Sequence, residues 1–152
     1  MTSPKTKTTK VKATLVVAAL VWHGDRLLIA QRKADSTIGA NQWEFPGGKV
    51  AASDADEAAA LKRELREELG LEIAVGERVA EREHSYETPA GPKRFKVLFY
   101  ECYSTTTELE LLDVQDARWV SVKELDEYDF VDGDRPIIAK ALAGSGAKRI
   151  SD

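Results

Sequence analysis

The stretch from Ser53 to Leu69 constrains this chain more than any other. It contains neither proline nor glycine, is dominated by Ala, Leu, Glu, Lys and Arg, and stops at Gly70; that composition and that stop specify an α-helix with an Asp or Ser cap. Leu61, Leu65 and Leu69 recur every four residues and form the stripe that must be buried. Glu64, Glu67 and Glu68, at i, i+3 and i+4, gather on a second stripe; at ~100° per residue its centre lies roughly a quarter-turn from the first. Three carboxylates on one face repel one another. In isolation such a face is most simply a solvated one, with Arg63 and Glu67 paired across a turn. A divalent cation would also relieve the repulsion, and Mg²⁺ takes carboxylate oxygens at ~2.0–2.1 Å while keeping positions for waters and phosphates.

Around this helix the chain reads as strands. Ala13 to Trp22 leads through His23-Gly24-Asp25 into Arg26 to Arg32, a strand, tight turn and strand. Gln42 to Phe45 is a short strand stopped by Pro46-Gly47-Gly48. Beyond Gly70, the segments Glu72–Glu83, Lys93–Tyr103 and Ala117–Val120 have strand composition, with Thr88-Pro89-Ala90-Gly91-Pro92 as a turn between the first two. Ser121-Val122-Lys123-Glu124 offers a capping box for a short helix, and Pro136 starts a last helix running to Leu142. The expected class is α/β, a mixed sheet between helices.

The chain has 152 residues, 43% hydrophobic and 32% charged, enough for one domain with a core of its own. We expect a domain over 11–143, a disordered Thr/Lys-rich tail over 1–10 and a flexible tail over 144–152. A net charge of −4 argues against a nucleic-acid polymer as partner, since phosphate backbones are bound by clustered lysines and arginines. Lysines 5, 7, 10 and 12 ahead of an apolar run imitate a signal peptide, but that run is needed as a strand, and no stretch reaches the ~20 apolar residues of a membrane span. The expectation is cytoplasmic, with no membrane partner, as a monomer or homodimer. Cys102, the single cysteine, sits in an apolar, aromatic run and reads as a buried small side chain.

The string Gly47-Gly48-Lys49-Val50, then the helix, then Arg63-Glu64-Leu65-Arg66-Glu67-Glu68-Leu69-Gly70-Leu71 resembles the Nudix box. The second half of that pattern is met at every position, and a motif of this length is specific. The resemblance extends through Gln31-Arg32 and Trp43-Glu44-Phe45-Pro46 and covers roughly residues 13 to 142. It implies the Nudix fold, an α/β/α sandwich with a mixed β-sheet. It further implies metal ligation by Glu64, Glu67, Glu68 and the Gly48 carbonyl, with Arg63 fixing the carboxylates. One residue more than the usual spacing precedes Arg63, and the first glutamate of the box is absent from its position. Asp54, which also suits a helix cap, and Glu57, two turns before Glu64, are the two candidates to replace it.

The resemblance is to MutT-type enzymes in particular, which implies hydrolysis of a nucleoside triphosphate to monophosphate and pyrophosphate with Mg²⁺, or Mn²⁺ as substitute. Counting back from Trp119-Val120 puts Asp113 at the position of a further metal-binding or base residue, with Asp116 as rival; Glu64 and Glu67 are the other candidates for the base. Arg32 matches an arginine that faces the nucleotide. Asp134 falls where the subgroup carries an amide, and as an ionised acceptor it suits the adjacent N1–H and N2–H donors of guanine. That favours dGTP or 8-oxo-dGTP. Phe45, Phe130 and Trp43 are candidates to contact the base. His23 and His84 have no partnered constellation and read as turn and strand residues. The rival readings are a pyrimidine triphosphatase acting on CTP, a nucleotide-sugar or ADP-ribose hydrolase, a dinucleoside polyphosphate hydrolase, and a non-catalytic nucleotide-binding module.

Overall fold

The computed structural model describes residues 12–139; both expected tails, and residues 140–142 of the expected last helix, lie outside them. Strands β1 (Thr14–His23) and β2 (Arg26–Gln31) form the first hairpin, followed by β3 (Trp43–Glu44) and β4 (Gly47–Lys49), helix α1 (Glu57–Leu69), the long hairpin β5 (Ala74–Thr88) and β6 (Gly91–Tyr103), and β7 (Asp116–Ser121). A 3-10 helix covers Val122–Glu127, with the Glu124 carboxylate accepting from Ser121 N at 2.8 Å as the capping box requires. Residues 135–139 are helical.

The seven strands make one sheet in the order β3-β2-β1-β6-β5, with β4 beside β1 and β7 beside β2. β1 and β6 run parallel from Thr14 opposite Phe95 to Trp22 opposite Tyr103, whereas β1/β2, β2/β7 and β5/β6 are antiparallel, so the sheet is mixed. Alternation along β1 sends Val17, Ala19 and Val21 to one face and Ala18, Leu20 and Trp22 to the other. The first face packs against Ala60, Leu61, Leu65 and Leu69 of α1; the second packs against Leu125, Phe130 and Ile137. Two helical layers over one sheet give the α/β/α sandwich. Cys102 is fully buried in the first cluster, and burial pushes its thiol up to about 12, which leaves it an inert packing group.

Three details differ from the expectation. The helix starts at Glu57, not Ser53, because Asp56 is its cap and accepts from Ala59 N at 2.8 Å. Residues 47–49 are a strand, not a loop: Gly47 lies so close to β1 that a side chain there would strike the Val17 and Ala18 backbone. The β5/β6 hairpin runs on to Thr88 opposite Gly91, so the turn is shorter and its arm reaches past the end of β1.

Candidate active site

The segment between β4 and α1 is held by one arginine. Asp54 accepts from Ala51 N at 2.7 Å and from Arg63 Nε and Nη2 at 2.8 and 2.9 Å, a two-point pairing that fixes the guanidinium plane. Those hydrogen bonds hold the Asp54 carboxyl at about 2 and Arg63 above its ordinary value. Arg63 Nη1 then donates to Glu64 at 3.3 Å and Glu67 at 3.1 Å, and Nη2 to Lys49 O at 3.1 Å. Glu57 instead accepts from the Tyr100 hydroxyl at 2.6 Å. Of the two candidates, Asp54 is the residue joined to Arg63, and the helix cap expected of it belongs to Asp56.

Gly48 faces Glu64 so closely that any Cβ would strike its carboxylate. Glu64 is half-buried and its pKa is raised, first by burial. Glu68 is more deeply placed; burial raises its pKa, and the charges of Glu44 and Glu64 raise it further. Its Oε1 is buried with no hydrogen-bond partner. Buried carboxylates that repel each other and leave an oxygen unsatisfied are a poor way to stabilise a fold and a good seat for a cation. Glu67 stands outside this group, its side chain 59% exposed against Arg63. Among the described residues no three acidic, histidine or cysteine side chains converge on one point; Arg63 Nη1 bridges Glu64 and Glu67 instead.

A cavity of about 830 Å³ opens beside these groups, lined at one end by Gly48, Glu64, Glu68 and Asp113 and elsewhere by Arg32, Phe45 and Asp134. Arg32 bonds Glu44 at 2.9 Å and Ile38 O at 2.7 Å. Asp134, 7% exposed, accepts from Phe45 N at 2.9 Å, and burial, then the charge of Glu44, pushes its carboxyl up to about 8. Asp113 is on the cavity wall; its rival Asp116 pairs with Arg118 at 3.2 Å and lies off it.

A model of the NUDIX domain matches residues 12–141. The chain belongs to the Nudix family. It is 39% identical to a protein named putative 8-oxo-dGTP diphosphatase 2 from Mycobacterium tuberculosis, over 88% of this chain and 93% of the relative. It is 35% identical to the CTP pyrophosphohydrolase of Escherichia coli, over 88% and 94%. The solution structure of the Escherichia coli ORF135 protein superposes with a TM-score of 0.70 at 33% identity, covering 92% of this chain and 96% of that one. The chain is therefore a hydrolase of phosphoric anhydrides. No helix among the described residues is long and apolar enough to cross a membrane.

Within this Nudix domain two expected base contacts move to the core. Phe130 is fully buried, 5.2 Å from the Phe45 ring, and Trp43 packs edge-on against Tyr128 at 5.0 Å; neither lines the cavity. Conversely, His84 and Tyr86 do line it, their rings 4.5 Å apart, and the Tyr86 hydroxyl accepts from Gly133 N at 3.2 Å. The one available signal was their alternation along β5, which puts 84, 86 and 88 on one face, but nothing local says that this face meets residue 133. His23 binds Ser104 O at 2.9 Å, away from the site.

Proposed function

We propose that this Nudix hydrolase converts a (deoxy)nucleoside triphosphate to the monophosphate and pyrophosphate, with dGTP or 8-oxo-dGTP preferred. The observation that carries the reading is the Asp134 carboxyl, fixed by Phe45 N in the same cavity as Glu64 and Glu68. One cavity thus offers a group that reads a base edge and a group that serves a phosphate chain. The named activities of the relatives, an 8-oxo-dGTP diphosphatase and a CTP pyrophosphohydrolase, support a triphosphate over ADP-ribose.

In this reading Glu64, Glu68 and the Gly48 carbonyl hold Mg²⁺, with Glu67 and Asp113 at the margin and Mn²⁺ as substitute. The ion, when bound, lowers the pKa of water and neutralises phosphate charge. Asp54 holds Arg63, and Arg63 aims Glu64 and Glu67. A water oxygen attacks phosphorus, the anhydride bond between the α- and β-phosphates breaks with its electron pair going to the departing phosphate oxygen, and the water's proton goes to Glu67, Glu64 or Asp113. Glu67→Gln and Asp113→Asn, assayed together, separate these: unchanged turnover removes that residue from the role. The substrate is tested by kcat/KM over dGTP, 8-oxo-dGTP, dCTP, dATP and ADP-ribose, with and without Mg²⁺. A lead for ADP-ribose, or binding without hydrolysis of any member, overturns it.

The raised pKa of Asp134 favours a second substrate alongside the first. A neutral carboxyl donates once and accepts once, which fits either O6 and N1–H of guanine or N3 and N4–H of cytosine; an ionised one only accepts, which fits guanine N1–H and N2–H alone. Guanine is therefore matched in both states and cytosine only below about pH 8.

A further inference from the structure

Four cationic side chains line the cavity: Arg32, Lys33, Lys49 and Lys93. Arg32 is committed to Glu44 and Ile38. Lys33 is held differently. Its ammonium lies 2.7 Å from Asp113 Oδ1, with the two side chains 49% and 64% exposed, so the pair sits where the cavity meets solvent. The backbones on either side are fixed independently of it. Leu112 N and Asp113 N donate to Glu68 O at 3.0 and 3.2 Å, and Gln115 N donates to Gln31 O at 2.9 Å; Ala34 N donates to the Gln115 side chain at 3.2 Å. Asp113 is thus registered to the last turn of α1, beside Glu68, while its carboxylate is turned onto Lys33. Only two flexible side chains have to move for the carboxylate to exchange one cation for another.

Resting on the reading that Asp113 serves the metal, we propose that Lys33 is a two-position residue. It neutralises Asp113 while no metal is bound, and it transfers to the phosphate chain of the nucleotide once a divalent cation takes the carboxylate. The chemistry suits lysine, a compact charge on a long flexible stem that binds phosphate as a point charge. The two halves of the proposal have opposite signs. In the first position the ammonium opposes the incoming cation; in the second it favours the substrate. A purely structural lysine would weaken both on removal.

The test uses the full chain and two binding measurements besides activity. Free Mn²⁺ is counted by electron paramagnetic resonance without nucleotide, and α,β-methylene-dGTP and α,β-methylene-dCTP are titrated by calorimetry with saturating Mg²⁺, so that the base does not decide the outcome. Lys33→Met is expected to tighten Mn²⁺ binding about two- to fivefold, the range of a solvent-exposed ion pair. It is expected to weaken the nucleotide analogue that binds best by on the order of tenfold. Lys33→Arg should stay near the wild type in both, and unchanged melting temperatures show that the variants fold. Asp113→Asn should loosen Mn²⁺ and abolish the effect of Lys33→Met on it. If Asp113→Asn loosens Mn²⁺ but Lys33→Met does not tighten it, or if nucleotide binding is unchanged in Lys33→Met, the two-position role is wrong. If Asp113→Asn leaves Mn²⁺ affinity unchanged, Asp113 is not a ligand, and the proposal falls with that reading.

Discussion

At the helix end of the cavity, Gly48, Glu64 and Glu68 line the wall and, with the Asp54 and Arg63 that stand behind them, come from one unbroken stretch of chain. At the opposite end, Phe45, His84, Tyr86, Gly133 and Asp134 come from three separate segments, brought together by the β5/β6 hairpin arm and by the turn before the last helix. The first end is polar and tied by charged hydrogen bonds within that stretch. The second is an aromatic wall backed by the core, with one buried carboxyl in it. Such a division lets a local motif carry the bond-breaking chemistry while distant segments decide which base is accepted.

If the two ends are separable, changes at the helix end should act alike on every nucleotide. Glu68→Gln is expected to lower kcat on the order of 10²–10³-fold, the scale of losing one charge-stabilising group, equally for dGTP and dCTP; a strongly unequal loss would join the two ends. Asp54→Ala releases Arg63 and should lower kcat about 10- to 100-fold, as supporting partners of metal ligands do. Asp54→Glu should recover part of that loss if the pairing with Arg63 is what counts.

Asp134 is the sharper probe of the other end. As pH rises through about 8, dCTP turnover should fall relative to dGTP by about tenfold per pH unit, the slope of a single ionisation. Asp134→Asn, a fixed donor and acceptor, should flatten that ratio. Stability should respond as well. Because the folded pKa lies above the ordinary carboxyl value of 3.8, the folded protein binds the extra proton between those values, and stability declines as pH rises across that window. Thermal melts of Asp134→Asn, which retains an acceptor for Phe45 N, should show less of this decline and a higher Tm at pH 8. Phe130→Leu should have the smallest consequence for chemistry: about 1–2 kcal/mol lost in denaturant titrations, with the dGTP to dCTP ratio unchanged. A changed ratio would return Phe130 to substrate contact.

How much was legible follows the same division. Periodicity alone placed Leu61, Leu65 and Leu69 in the core and Glu64 and Glu68 together, because neighbours on a helix are fixed by backbone geometry. It did not distinguish Glu67, exposed against Arg63, from Glu64 and Glu68, since a stripe of helix surface is broad and only the docking of α1 on the sheet decides which edge faces the cavity. The extra residue before Arg63 left Asp54 and Glu57 equal in sequence; the turn at Ala51 and the hydroxyl of Tyr100 separate them. The core position of Phe130 was not legible because an aromatic beside a candidate binding segment has the same local signature whether it faces a ligand or a core.

By itself, then, the sequence determined the helix, its two stripes, the strand alternation and the family, since each is encoded by residues within a few turns of one another. Only the tertiary structure decided that His84 and Tyr86 meet Gly133, that Asp134 is buried against Phe45, and that Asp113 rests on Lys33. Those contacts span chain separations over which backbone geometry carries no information, and they exist because the sheet and its two covering layers can be closed only by packing the whole chain.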